Sequence, residues 1–170
     1  LLTPKGPQPV SYRGAALSRD GKSVYLTTDR DSDFLQLARL EPATGAITVL
    51  TPQAQGDVEE IALSPDGAVI AFTVNQDGRS ALRLLDMATR KERPAPAIAT
   101  GVVINLRWHR NSVDLAFDFQ SPKTPGGVYS LDITSGRVSR WTTTVGRSGI
   151  SRTSAETSSG TSPVTNSRSS

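Results

Sequence analysis

Four stretches of this chain carry residue types that could do chemistry. Asp29-Arg30-Asp31-Ser32-Asp33 places carboxylates on alternate residues, as a calcium-binding loop does to turn oxygen ligands toward one cation. The glycine such a loop needs at its sharp turn is replaced by Phe34. The position where a bidentate glutamate would close the shell is Leu40. An EF-hand is excluded, and the segment reads as a solvated loop between two strands. Gly21-Lys22-Ser23 has the ending of a phosphate-binding loop, but the leading glycine would fall at Ala16 and no helix follows. It reads as a hairpin turn. Gly146-Arg147-Ser148-Gly149-Ile150 approaches the Gly-x-Ser-x-Gly elbow of a serine hydrolase. Its last glycine is Ile150, and no strand precedes it and no helix follows. His109 is the single histidine. As a general base it would need a serine on a sharp elbow and a carboxylate behind it, whereas its neighbours make it a turn corner. No catalytic, cofactor-binding or metal-ligating residue is assigned, and no cofactor is expected.

The elements that hold these residues are hairpins written three times. Ala62-Leu63-Ser64-Pro65-Asp66-Gly67-Ala68-Val69-Ile70-Ala71-Phe72-Thr73 reads as an apolar strand, a tight turn and a second apolar strand. Pro65 presets φ, Asp66 can bond its own backbone, and Gly67 accepts the positive φ of the reversal. A near copy runs from Ala16 to Thr27, with Ser18-Arg19-Asp20-Gly21 at the turn. A worn copy runs from Arg107 to Asp118, with His109 aligned on Ser64. Each copy is followed by a second hairpin, turning at Pro42-Ala43-Thr44-Gly45, Met87-Ala88-Thr89-Arg90 and Ile133-Thr134-Ser135-Gly136. In the middle unit the return strand, through Lys91-Glu92-Arg93, is the weakest. Asp20 to Asp66 is a step of 46 residues, and Glu41 to Asp86 to Asp132 steps by 45 and 46.

Short strands on a period of about 40 to 50 residues are the signature of propeller blades. The apolar residues alternate or run continuously instead of recurring at three and four, so a helical solenoid is excluded. The fold class is all-β: a partial β-propeller of about three four-stranded antiparallel blades with a disordered C-terminal tail. The expected organisation is a lead-in or linker over residues 1–13, blades at about 14–56, 57–101 and 102–142, and a Ser/Thr/Arg-rich tail over 143–170. The first strand of each blade is expected innermost. The second, as in Val69–Thr73, is expected to be covered on both faces, which would bury Phe72. Trp108 and Trp141 both read as packing residues.

Composition bounds the partners. The chain has 170 residues and a net charge of +3, from 19 Lys and Arg against 16 Asp and Glu. Arg147, Arg152 and Arg168 against Glu156 put +2 of that charge in the tail, leaving about +1 for the body. The basic balance is therefore no argument for nucleic acid. Cysteine is absent, which excludes disulfides and thiolate metal sites and fits cytoplasm or bacterial periplasm. No run of about 18 apolar residues spans a membrane. No signal peptide is visible, and the start at Leu1 leads us to expect a missing N-terminal part. The tail has two readings, a flexible interaction segment or the product of a frame change or premature end. Three blades would leave open faces, so self-association and low solubility are expected.

The Ser18-x-Asp20-Gly21 and Ser64-Pro65-Asp66-Gly67 turns, each followed by a strand ending Tyr25-Leu26-Thr27 or Ala71-Phe72-Thr73, resemble the WD40-like propeller repeats called PD40. These repeats occur in TolB proteins and in prolyl oligopeptidase-type serine peptidases. The stretches Leu26–Phe34, Asp57–Gly67 and Leu106–Asn111 are similar to the dipeptidyl- and acylaminoacyl-peptidase branch of the second group. The resemblance covers about residues 14–142. It implies a propeller that precedes an α/β-hydrolase domain, covers its active site and admits short peptides. No position here matches the family's catalytic residues, so none is carried over. The resemblance thus implies a truncated propeller, inactive alone, that gates peptides in a longer parent. Its alternative is a TolB-like scaffold with protein partners.

Overall fold

The computed structural model describes residues 9–94, 96 and 98–142; residues 1–8 of the lead-in and the whole tail read from 143 lie outside the described residues. The described chain is strand throughout, with no helix among these residues. The first sheet runs Tyr12–Leu17 (β1), Val24–Thr28 (β2), Gln36–Glu41 (β3) and Ala46–Val49 (β4). Val58–Leu63 (β5), Val69–Gln76 (β6) and Arg79–Asp86 (β7) form the second. Val102–Trp108 (β8), Asp114–Ser121 (β9), Thr124–Asp132 (β10) and Val138–Arg140 (β11) form the third. In each sheet the strands are hydrogen-bonded in chain order and antiparallel, so every sheet is a meander of consecutive hairpins. The strand β1 begins at Tyr12, ahead of Gly14 and inside the segment read as lead-in.

The hairpin turns form as their residues dictate. In the second sheet the Ser64 hydroxyl donates to the Asp66 carboxylate and accepts the Val69 N–H at 2.9 Å, while Asp66 Oδ1 accepts the Ala68 N–H at 3.0 Å. Gly67 takes a φ of 76°. The first sheet repeats the box: Ser18 donates to Asp20 at 2.7 Å and accepts the Ser23 N–H at 2.9 Å, with Gly21 at φ 69°. In the third sheet the copy is worn. Asn111 stands for the aspartate and accepts the Val113 N–H at 3.0 Å, and Ser112 takes the left-handed φ of 59° where the others have glycine.

The middle sheet departs from the four-stranded expectation. Its fourth position is a single bridge, Leu85 to Glu92, flanked by the Asp86 N–H on Lys91 and the Arg93 N–H on Leu84. Pro94 and Pro96 have no N–H to give a ladder. Ion pairs tie the segment down instead, Arg83 to Glu92 at 3.2 Å and Arg93 to Asp86 at 2.9 Å.

Packing follows the alternation of side chains along each strand. Ile70, Phe72, Val74 and Leu85 face the first sheet, where they meet Tyr25 and Leu37. Val69, Ala71, Leu82 and Leu84 face the third sheet, where they meet Leu115, Phe117, Phe119 and Leu131. Val69 through Val74 is therefore buried without interruption, and Phe72 is completely inaccessible. In β9 burial alternates instead, because only one of its faces has a sheet against it among the described residues. The strands β1, β5 and β8 approach one another, whereas β4 and β11 touch only their own sheets. First strands therefore converge and fourth strands lie outside.

Each converging strand carries an irregularity in register, between Arg13 and Ala16, Val58 and Ile61, and Ile104 and Arg107. The same position of the second strand ties each one. Thr27 donates to the Arg13 carbonyl at 3.1 Å, Thr73 accepts the Glu60 N–H at 3.2 Å, and Asp118 accepts the Asn105 side-chain amide at 2.7 Å. Bulges of this kind bend a strand and re-aim its side chains.

The two tryptophans differ. Trp108 is half-buried against the core between the second and third sheets and donates its indole N–H to the Ala62 carbonyl at 2.9 Å. Trp141, expected to pack, is 74% exposed. It lies past the end of β11, donates to Ser130 at 2.7 Å, and has no further sheet over it among the described residues.

Candidate functional site

The sheets have two unlike ends. At one end lie the Ser-x-Asp-Gly turns and the second-hairpin turns, joined by the Met87 N–H on Ala68 and the Ile133 N–H on Val113. The carboxylates here are spent on their own loops. Asp86 accepts the Thr89 N–H at 2.9 Å and the Arg93 guanidinium at 2.9 Å, which hold its pKa down at about 2. Hydrogen bonds from Ser64 to Asp66, from Ser18 to Asp20, and from the Ser135 and Thr134 backbone to Asp132 lower those groups as well. Acceptors saturated in this way have little left for a ligand.

The opposite end gathers the loop between β2 and β3, the turns between β6 and β7 and between β9 and β10, and the connections that lead into β5 and β8. We call it the loop face. Asp57 fixes the first connection, accepting the Leu35 N–H on its carboxylate and the Asn75 N–H on its carbonyl, both at 2.8 Å. In the second, the Gly101 carbonyl accepts the Ser80 N–H at 2.9 Å. Gly56 and Gly101 stand 45 residues apart at equivalent places. A Cβ on Gly56 would collide with the Asn75 carbonyl oxygen, and one on Gly101 with the Gln120 carbonyl oxygen and the Phe119 ring. These close approaches set the two connections against the strands that follow, and they leave two clefts.

The first cleft, about 630 Å³, lies between the first two sheets and includes Phe34, Asp57, Asp77 and Arg79. The second, about 500 Å³, lies between the second and third sheets and includes Arg79, Gly101, Val102 and Pro122. Phe34, 45% exposed, stands 45 residues before Arg79, and Arg79 stands 45 before Thr124. One repeat position thus presents an aromatic ring, a guanidinium and a hydroxyl in turn.

The motifs weighed in the sequence fall elsewhere or do other work. Asp29 accepts the Ser11 N–H at 2.7 Å, and Ser32 caps the Phe34 N–H, so the alternating carboxylates belong to a loop. Among the described residues no group of three His, Asp or Glu side chains gathers to hold a metal. Lys22 donates its N–H to Asp20 inside the hairpin turn. His109 sits at its turn corner with Nδ1 facing the Asn111 N–H at 3.4 Å. The stretch Gly146–Ile150 lies outside the described residues. Among the described residues every buried side-chain polar atom has a partner. The loop face offers amides, hydroxyls and three cations: Arg79, the exposed Lys123, and Arg30, which lies 3.7 Å from Asp31. Sequence reasoning missed Gly56, Gly101 and Arg79; the signal available was their repetition at 45 residues.

No protein-family model and no curated protein matches the chain. Solved structures do. TolB from Acinetobacter baumannii is 19% identical with a TM-score of 0.62, over 74% of this chain and 31% of its own. A puromycin hydrolase is 26% identical with a TM-score of 0.62, over 79% of this chain and 21% of its own. A puromycin-hydrolyzing peptidase of Mycobacterium tuberculosis is 20% identical with a TM-score of 0.64, over 77% of this chain and 20% of its own. The chain spans a third or less of each of these. It is a partial β-propeller, similar to TolB and to the prolyl endopeptidase and puromycin hydrolase enzymes.

Proposed function

We propose that these blades are the propeller portion of a prolyl oligopeptidase-like serine peptidase, and that their loop face governs which peptides reach a hydrolase domain outside the 170 residues. The observation that carries the reading is the 26% identity with puromycin hydrolase across 79% of the chain. The loop face supports it: its residue types change from blade to blade, whereas the turn end, which also carries clefts of about 440 and 460 Å³, closes the carboxylates of Asp20, Asp66, Asp86 and Asp132 on their own loops. Sequencing the encoding locus past Trp141 in all three frames tests it. Further blades followed by Gly-x-Ser-x-Gly between a strand and a helix are expected. Further blades and then a stop would replace this reading with the second one, a TolB-like protein-binding scaffold. That second reading is favoured by one observation: the chain covers 49% of a protein assigned as TolB from Agrobacterium tumefaciens. In either case the chain alone should hydrolyse no peptide.

The open face of the third sheet bears on handling. Ile104, Asp118 and Val128 form one row across it, and Trp141 follows Val128 by a backbone hydrogen bond of 2.9 Å. The exposure of Ile104, Val128 and Trp141 supports self-association through this face. Sedimentation velocity of the chain should show concentration-dependent association. A monodisperse monomer would remove the proposal.

A further inference from the structure

The two clefts of the loop face share Arg79 as a common wall but differ in charge. The first also holds Asp57 and Asp77. In the second, Arg79 is the one charged residue among those lining it, with Lys123 exposed in the adjoining turn between Pro122 and Thr124. Arg79 makes no ion pair or side-chain hydrogen bond among the described residues, although two carboxylates line the same cleft. Arg30, Arg39, Arg83 and Arg93 each find an acid, whereas Arg13, Arg19, Arg90, Arg107, Arg110 and Arg137, like Arg79, make no ion pair among the described residues; what sets Arg79 apart is its place between the two clefts. An anion entering from solvent is repelled on the side of Asp57 and Asp77 and accepted on the other. The rest of the second cleft is mainly apolar surface, with Val102, Pro122 and three glycines in its wall; Thr100, Gln120, Ser121 and Thr124 are its polar members, and the Ser121 hydroxyl already accepts the Thr124 N–H at 3.1 Å. A peptide unit offers one donor and one acceptor and matches such a lining. A phosphate or a nucleic acid would call for several cations and a surplus of donors.

We propose that the second cleft binds the carboxylate of an extended peptide against Arg79, with the acidic first cleft setting the direction in which the peptide lies. This rests on the reading of the loop face as the peptide-facing side. It adds the ligand class, a monoanionic peptide, and the residue that selects it. A C-terminal carboxylate and an Asp or Glu side chain share this chemistry.

The test is isothermal titration calorimetry of the 170-residue chain with three acetylated alanine-rich pentapeptides. One has a free C-terminal acid, one a C-terminal amide, and one an amide end with a single internal glutamate. The free acid should bind about tenfold or more tightly than the plain amide, as a charge-assisted hydrogen bond demands. Arg79→Gln should abolish that preference with the far-UV circular dichroism unchanged, and Asp77→Asn should not weaken the acid. If the internal glutamate restores affinity, the cleft takes the carboxylate from a side chain. Equal binding of acid and amide, or a preference that survives Arg79→Gln, overturns the assignment while leaving a peptide-binding face. No binding of any peptide at millimolar concentration overturns the assignment and the reading beneath it.

Discussion

The turn end and the loop face of these sheets are built from the same strands and obey different rules. At the turn end, Ser18, Asp20 and Gly21 are reproduced by Ser64, Asp66 and Gly67, and each hydroxyl and carboxylate is closed on its own hairpin. At the loop face, equivalent positions hold Phe34, Arg79 and Thr124. The turn end keeps its residues in the first two sheets and its backbone bonds in the third, where Asn111 and Ser112 stand in for the aspartate and glycine, because the backbone has the same needs in every blade. The other is free to vary, except where Gly56 and Gly101 touch the following sheet. In this fold, sameness marks scaffold and difference marks the surface where recognition is tuned.

That contrast is open to attack by substitution. The largest effects belong to neither surface but to the core that joins them. Phe72→Ala removes a fully buried ring between the first two sheets and should cost about 3–5 kcal/mol in urea unfolding. Gly101→Ala should come next, destabilising by about 3 kcal/mol through overpacking onto Gln120 and Phe119. If it is silent, the constant part of the loop face has been misplaced. Ser64→Ala should cost about 1–3 kcal/mol, since it strips partners from Asp66 and the Val69 N–H. Phe34→Ala and Arg79→Ala should each change stability by no more than about 0.5 kcal/mol, as exposed positions outside the box. A larger loss at either would make that position part of the scaffold.

The mildest probe is acid. Asp86 is held near a pKa of about 2, below its ordinary 3.8, and Asp20, Asp66 and Asp132 are lowered too. Because the folded carboxyls bind protons less readily than the unfolded ones, their stabilisation is complete above pH 3.8 and is lost as pH falls toward 2. Thermal melts at pH 5, 3 and 2 should fall progressively, and Asp86→Asn should flatten the decline.

How much of this was legible beforehand depends on how far apart the cooperating residues lie. Ser64, Asp66 and Gly67 interact within one turn, so their types and order announce the hairpin, and the 46-residue echo at Ser18 announces the blade. The worn copy at His109 was legible by register alone. The fourth strand of the middle sheet was read through Lys91–Arg93, and the structure keeps only the bridge at Glu92, since Pro94 and Pro96 cannot feed a ladder. Trp141 looked like a core residue because large aromatics usually are; its exposure follows from what lies beside β11, which no local pattern encodes. The clefts were invisible for the same reason. Gln55, Asn75 and Phe34 are brought together by sheet packing, and none of them signals the others.

Each sheet is a set of consecutive hairpins that leans only on its immediate neighbour, and this governs how the molecule would come apart under load. Pulled from its two ends, the chain should not rupture at once. It should yield sheet by sheet, each event freeing about 45 residues, or roughly 150 Å of extended polypeptide. The indole of Trp108, clasping the Ala62 carbonyl across the seam between the second and third sheets, is the bond we expect to set the force of one such step.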